Sequence, residues 1–156
     1  MAGALDPRDG WVADRCPMAA TLGIVSTRSA FLVLREAFYG ATRFDQFVSR
    51  TGISEPVAAA RLKELEAEGL LARHPYQEPG QRTRHEYALT EKGVDLLPVL
   101  VSLMRWGDRW AIEGGSRVKL IHSGCGGEVG VSLACSAGHG VTSDQIELAV
   151  KPARSG

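Results

Sequence analysis

The sequence predicts an α+β fold that is mainly helical and ends in a small β-rich appendage. Three observations carry this. Between residues 27 and 68 apolar side chains recur at three- and four-residue spacing, the pattern of helices with one buried face. After Gly69 the period falls to two and stays so to Leu89, as strands require. A long apolar run over 90–111 is helical again, and short alternating stretches separated by glycines follow it.

Length and composition bound the rest. A chain of 156 residues, 44% hydrophobic, has room for a packed domain of about 110 residues with a small addition. Lysine plus arginine equals aspartate plus glutamate at 18 each, so a nucleic-acid partner would need cations clustered locally rather than a basic total. Residues 1–13 read as a flexible start without a secretory h-region, and no apolar run approaches a membrane span. The expectation is a cytoplasmic protein with no membrane partner. Three cysteines, an odd number and widely spaced, argue against a secreted disulfide framework.

The main domain is expected over 14–112. Cys16-Pro17 opens a short helix with Met18, Leu22 and Val25 along it. Phe31, Leu34, Ala37 and Phe38 mark a core helix that Gly40 stops. Phe44, Phe47 and Val48 follow at helical spacing, and the stretch 51–71 then organises what surrounds it. Gly52 supplies a sharp turn, Ile53 an inward anchor, and Ser54 a hydroxyl to cap helix-start N–H groups. Pro56 is tolerated because the first helical turn needs no internal donors. Ala58, Leu62 and Leu65 form a buried stripe, leaving Pro56, Ala59, Ala60 and Lys63 outside. So slim an outer face can enter a groove about 12 Å wide. The pair of helices reads as a helix-turn-helix with its recognition helix over 54–68, although an ordinary helical hairpin uses the same local pattern.

Residues 71–76 and 84–89 read as a β-hairpin, with His85, Tyr87 and Leu89 on one face and Glu78-Pro79-Gly80-Gln81 as a type II turn. Arg82 and Arg84 near its tip make 71–89 a wing able to lie on phosphates or in a minor groove. A solvated arginine pair is the plainer reading of the hairpin alone. Thr90 then caps a helix to about Ala111, which Pro98 should bend by removing a donor and crowding the Val94 carbonyl. This helix is apolar on nearly every side, so one face is expected in the core and another against a second copy of the chain. Leu22, Leu96, Leu100, Leu103, Trp106 and Trp110 are the candidate homodimer residues. A linker over 113–117 leads to the β-rich element, 118–156.

Cys16-Pro17, Leu34-Arg-Glu36, Arg43-Phe44, Gly52-Ile-Ser54, Arg61-Leu62, Leu65, Gly69-Leu70, Glu86-Tyr87, Leu89-Thr90, Gly93 and Trp106-Gly107 stand in an order and spacing that resembles the HxlR family of MarR-like winged helix-turn-helix transcription regulators. The resemblance covers about residues 16–110. It implies a dimer built from the first and last helices, DNA read by the 54–68 helix, and backbone contacts from the wing. Ser26-Thr-Arg-Ser29 replaces the family's usual Gly-Lys-Trp-Thr, and Ala58 and Ala59 stand where leucine and a hydroxyl residue are usual.

Candidate DNA contacts are Arg43, Ser54, Val57, Ala59, Arg61, Lys63, Arg82 and Arg84. Arg61 borders the buried stripe and can instead pair with Glu64 or Glu68. Glu55 repels phosphates unless it accepts from cytosine N4. Cys16 matches the family's N-terminal cysteine, which in some members senses oxidants or electrophiles; a buried inert thiol is the alternative. In the tail, His122-x-x-Cys125 and Cys135-x-x-x-His139 are two short ligand pairs, able to hold a structural zinc in a ribbon or to remain as ligand-like spacing in a metal-free appendage. The expected protein is a homodimeric, sequence-specific regulator on double-stranded DNA, open to a small-molecule or electrophile effector. The alternative is a winged-helix protein-interaction module without DNA binding. No phosphate loop, nucleophile motif or acid/base pair points to an enzyme.

Overall fold

The computed structural model describes residues 16–25, 27–77, 80 and 82–147. The flexible start expected over 1–13, three of the four turn residues (Glu78, Pro79 and Gln81) and residues 148–156 lie outside the described residues. Helices α1 (Pro17–Ile24), α2 (Arg28–Phe38), α3 (Phe44–Thr51) and α4 (Glu55–Ala67) lead into an antiparallel pair, β1 (Leu71–Tyr76) and β2 (Arg84–Leu89); α5 (Glu91–Val94) and α6 (Leu97–Trp110) follow.

Helices α2 and α3 start where their sequences satisfy free backbone donors. Thr27 accepts the Ala30 N–H at 3.1 Å to begin α2, and Gln46 Oε1 reaches back to the N–H groups of Thr42 (2.9 Å) and Arg43 (3.1 Å) to begin α3. Gly52 ends α3 with φ +70°, a left-handed conformation that side-chain-bearing residues resist. That turn sets α4 against α3. Ser54 holds the N-cap position of α4, but its side chain accepts no capping bond; Pro56 and Glu55 favour this first turn instead, by missing donor and by charge.

α2, α3 and α4 pack on one another, with the hairpin against α4 and α2. Leu34, Val33, Phe47, Leu62, Leu65, Leu70 and Leu71 are fully buried between them, worth about 1.5–3 kcal/mol for each large side chain. Phe47 meets Tyr87 edge-on at 6.1 Å, tying the helix-turn-helix to β2. The strands pair Leu71 with Leu89 through Tyr76 with Arg84. Gly80 has φ +76°, as the third position of a type II turn requires.

The long helix expected from Thr90 to about Ala111 is two helices. Thr90 caps only the short α5, accepting the Gly93 N–H at 3.1 Å, and the chain turns at Asp95 and Leu96 before α6 starts. A continuous helix would need a Pro98 N–H for the Val94 carbonyl, and there is none. Pro98 instead lies in the first turn of α6, so the expected bend is a break. Leu100, expected in a dimer interface, is buried in the protomer core, and Leu96 is partly buried against that core.

The tail is β-paired only sparsely. Among its described residues there are no strands, only the isolated antiparallel bridges Ile121 with Glu128 and Ala134 with Gly140, and a 3-10 turn at Ser143–Gln145. Nearly every side chain over 118–147 is exposed; alternating runs this short, broken by glycine, have too little apolar surface to stabilise a sheet.

Candidate nucleic-acid interface

Helix α4 turns Ala58, Leu62 and Leu65 into the core and leaves Pro56, Val57, Ala59, Ala60 and Lys63 exposed. Ser54 is exposed at its start. The outward face is therefore low, with Lys63 its one long cation, and no neighbouring element covers these positions. Glu55 and Glu64 are exposed on the same helix, so α4 supplies little net positive charge.

The cations come from its flanks. Arg50 at the end of α3, and Arg73, Arg82 and Arg84 on the hairpin, are exposed. Arg43, at the N-cap of α3, is also exposed and lays its guanidinium over the Tyr76 ring at 4.9 Å, a cation–π contact. The same segment is stitched to β2 by a bridge to Glu86 and by the Tyr87 N–H donating to the Thr42 carbonyl at 2.7 Å. The hairpin is thus fixed to the start of α3. Arg73 Nη2 lies 2.9 Å from His85 Nδ1 across the strands.

Arg61 has the structural role that its position allowed. Its Nη1 pairs with Glu64, and its Nε is buried without a hydrogen-bond partner. A guanidinium held this way is poorly placed to reach across a groove.

Three residues hold the end of α4 in place: Thr90 and Gly93, which the sequence marks without showing this role, and Lys92, which pattern reading passes over. Lys92 Nζ donates to the Glu68 carbonyl at 2.5 Å, satisfying a C-terminal acceptor with a favourable charge. Thr90 Oγ1 donates to the Gly69 carbonyl at 2.6 Å. At Gly93 a Cβ would sit 2.2 Å from the Leu70 carbonyl oxygen, so only glycine lets α5 lie this close to the end of α4. A lysine and a glycine just after a strand were the available signals, but their partners lie more than 20 positions away.

Elsewhere, α1 has no buried residue. Met18 and Leu22 are exposed on it, as are Leu103, Trp106 and Trp110 on α6, the two tryptophans by about 65%. Cys16 is half-buried at the N-cap of α1. In the tail, His122 Nδ1 lies 3.2 Å from Cys125 Sγ, while the Cys135 N–H donates to the His139 carbonyl at 2.9 Å. The two pairs stay apart: among the described residues no three His, Cys, Asp or Glu side chains gather as metal ligands. The Ala137 and His139 backbone N–H groups hold the exposed Cys135 thiol below the usual thiol range. No single helix among the described residues is long and apolar enough to cross a membrane.

Three helices, the last two joined by the three residues Gly52-Ile53-Ser54, and a hairpin anchored beside them define a winged helix-turn-helix, the architecture of transcription regulators. The sequence pattern of the HxlR-like helix-turn-helix family matches residues 24–114. The chain belongs to that family, which is one of transcriptional regulators and not of enzymes. It is 41% identical over 116 residues to the uncharacterised HTH-type transcriptional regulator Rv3095 of Mycobacterium tuberculosis, covering 74% of this chain and 72% of that one. The crystal structure of PA1607, described as a candidate transcription factor, superposes with a TM-score of 0.78 at 28% identity over 88% of this chain and 96% of its own. The redox regulator HypR in its oxidised form gives 0.57 at 27% identity, over 63% of this chain and all of its own.

Proposed function

We propose that this protein regulates transcription as a homodimer that reads DNA with α4 and grips the backbone with its wing. The observation that carries the reading is the uncovered, alanine-lined face of α4 beside a hairpin bearing Arg73, Arg82 and Arg84. Ser54, Val57, Ala59 and Lys63 are the groove-facing set, and Arg43, Arg82 and Arg84 the phosphate set. Arg61 acts through α4's own packing. Dimerisation is supported by α1, on which no residue is fully buried and only Ile24 packs against the core of its own protomer, and by Leu22, Leu103, Trp106 and Trp110, large apolar groups left to water. Such side chains typically anchor interfaces.

A mobility shift on DNA from upstream of the protein's own coding region tests this. Binding should weaken steeply between about 50 and 200 mM salt, as counterion release demands. If no complex forms, or salt leaves it unchanged, the protein-interaction module is the better reading. The acidic residues Glu55 and Glu64 on α4 favour that second reading.

Two further parts belong to the proposal. Cys16, beside the proposed interface on α1, would report an oxidant or electrophile through dimer packing, and the likeness to a redox regulator supports this; diamide or peroxide should then change DNA affinity, and not in a Cys16→Ser variant. A structural zinc in the tail requires the His122–Cys125 and Cys135–His139 turns to close on one another. Metal analysis of protein purified without a histidine tag decides that.

A further inference from the structure

The tail folds back on the domain and encloses space. A cleft of about 450 Å³ lies between α2, the C-terminal half of α6 and residues 116–129, and a second of about 240 Å³ adjoins it, sharing Arg35, Tyr39, Val101, Met104, Leu120 and Val129. The larger alone is in the size range of small-molecule sites. Most of its wall is aliphatic, aromatic or thioether, from Ile112, Val118, Leu120 and Val129 besides Tyr39 and Met104.

The charges on the wall balance, and most of them are engaged. Arg35 donates to the Glu36 carboxylate from Nε at 3.0 Å and Nη2 at 2.6 Å, Lys119 pairs with Glu128 at 3.3 Å, and Asp108 accepts the Ser116 N–H. With Arg105 included, three basic side chains face three acidic ones. An ionised ligand would lose its hydration here without a surplus of opposite charge to replace it. The polar contact open to exchange is weak: the Tyr39 hydroxyl donates to Met104 Sδ at 3.5 Å, and a carbonyl oxygen would be a better acceptor for it.

From this geometry we propose that the cleft binds an uncharged, largely aromatic small molecule carrying a carbonyl-type acceptor, seated between Tyr39 and Met104 and covered by the tail. α2 lines the cleft and also packs on α3 and α4. Occupancy therefore loads the helix that backs the helix-turn-helix, and α6, which carries the proposed dimer contacts Trp106 and Trp110 as well as Leu103, a residue of the cleft wall itself. Regulation of DNA affinity by this route rests on the DNA-binding reading; occupancy of the cleft does not.

The test uses the full chain and the uncharged naphthyl ketone prodan as probe. Saturable, blue-shifted fluorescence at one probe per chain is expected. Val129→Trp and Met104→Trp, which fill the cleft from opposite walls, should each weaken binding by about tenfold or more. Leu133→Ser, an exposed apolar change outside the cleft, should leave it intact. Melting curves identify any variant that fails to fold, and the other filled variant then decides. Absence of saturable binding, equal binding by a folded filled variant, or equal loss in Leu133→Ser overturns the site. Saturating probe should also shift DNA affinity by about threefold or more. Probe binding with unchanged DNA affinity overturns the coupling and keeps the site, whereas probe binding by a protein that binds no DNA sinks the regulator reading alone.

Discussion

Arg61 and Arg82 carry the same charge in different settings, and the proposed function gives them different roles. Arg82 is exposed on the wing, so Arg82→Ala should weaken binding to all sequences alike and flatten the salt slope by about 1. Arg61 is held by Glu64, so Arg61→Ala should cost about 0.5–1 kcal/mol of stability and leave the slope of log affinity against log salt where it was. A slope change from Arg61 instead of Arg82 would reverse the two roles. Gly93 is decided by sterics. With a Cβ only 2.2 Å from the Leu70 carbonyl, Gly93→Ala should destabilise by about 1–3 kcal/mol in urea unfolding; a neutral result would mean that α5 does not lie so close. Cys135 is a matter of charge. The N–H groups of Ala137 and His139 stabilise its thiolate, so its thiolate persists to lower pH than in a free thiol. Its alkylation by iodoacetamide, followed by mass spectrometry, should rise through a midpoint at lower pH than that of a free cysteine peptide alkylated in parallel, and a midpoint equal to or above the peptide's would contradict these donors.

At the scale of elements, the helix-turn-helix was legible because each helix writes its buried face within a few residues. Ala58, Leu62 and Leu65 are core positions and recur at a single period. What was not legible depends on distant partners. Arg43 stacks on Tyr76 and Lys92 caps the end of α4, and neither spacing leaves a trace in local pattern. The eight DNA candidates show the same division: exposure of Ser54, Val57, Ala59 and Lys63 followed from helical period, but the capture of Arg61 by Glu64 required the actual rotamers. In the tail, alternation says only that two faces differ and leaves open how far strands pair, and among the described residues the pairing is two isolated bridges. Pro98 was placed correctly and its consequence was not, since a proline can bend a helix or begin one. Because it stands in the first turn of α6, where its missing donor is harmless, Pro98→Ala should change unfolding free energy by less than about 0.5 kcal/mol. A gain of about 3 kcal/mol, as for a proline inside a helix, would restore the single bent helix.

At the scale of the molecule, zero net charge and an α4 that carries three glutamates against Arg61 and Lys63 mean that, in the proposed DNA complex, position and not bulk attraction must bring the cations to phosphate. The hairpin fixed to α3 through Thr42, Arg43 and Glu86 would do this within one protomer, and the apolar faces of α1 and α6 would do it between two. A dimer also multiplies the weak electrostatics of one recognition unit, because the second helix binds at high effective concentration. Hydroxyl-radical footprinting on DNA enriched from a random pool by the full-length protein measures this arrangement directly. Two symmetrical protected patches, centred about 10–10.5 base pairs or one helical turn apart, are the predicted result. A single patch, or a pool from which no DNA is enriched, would contradict it.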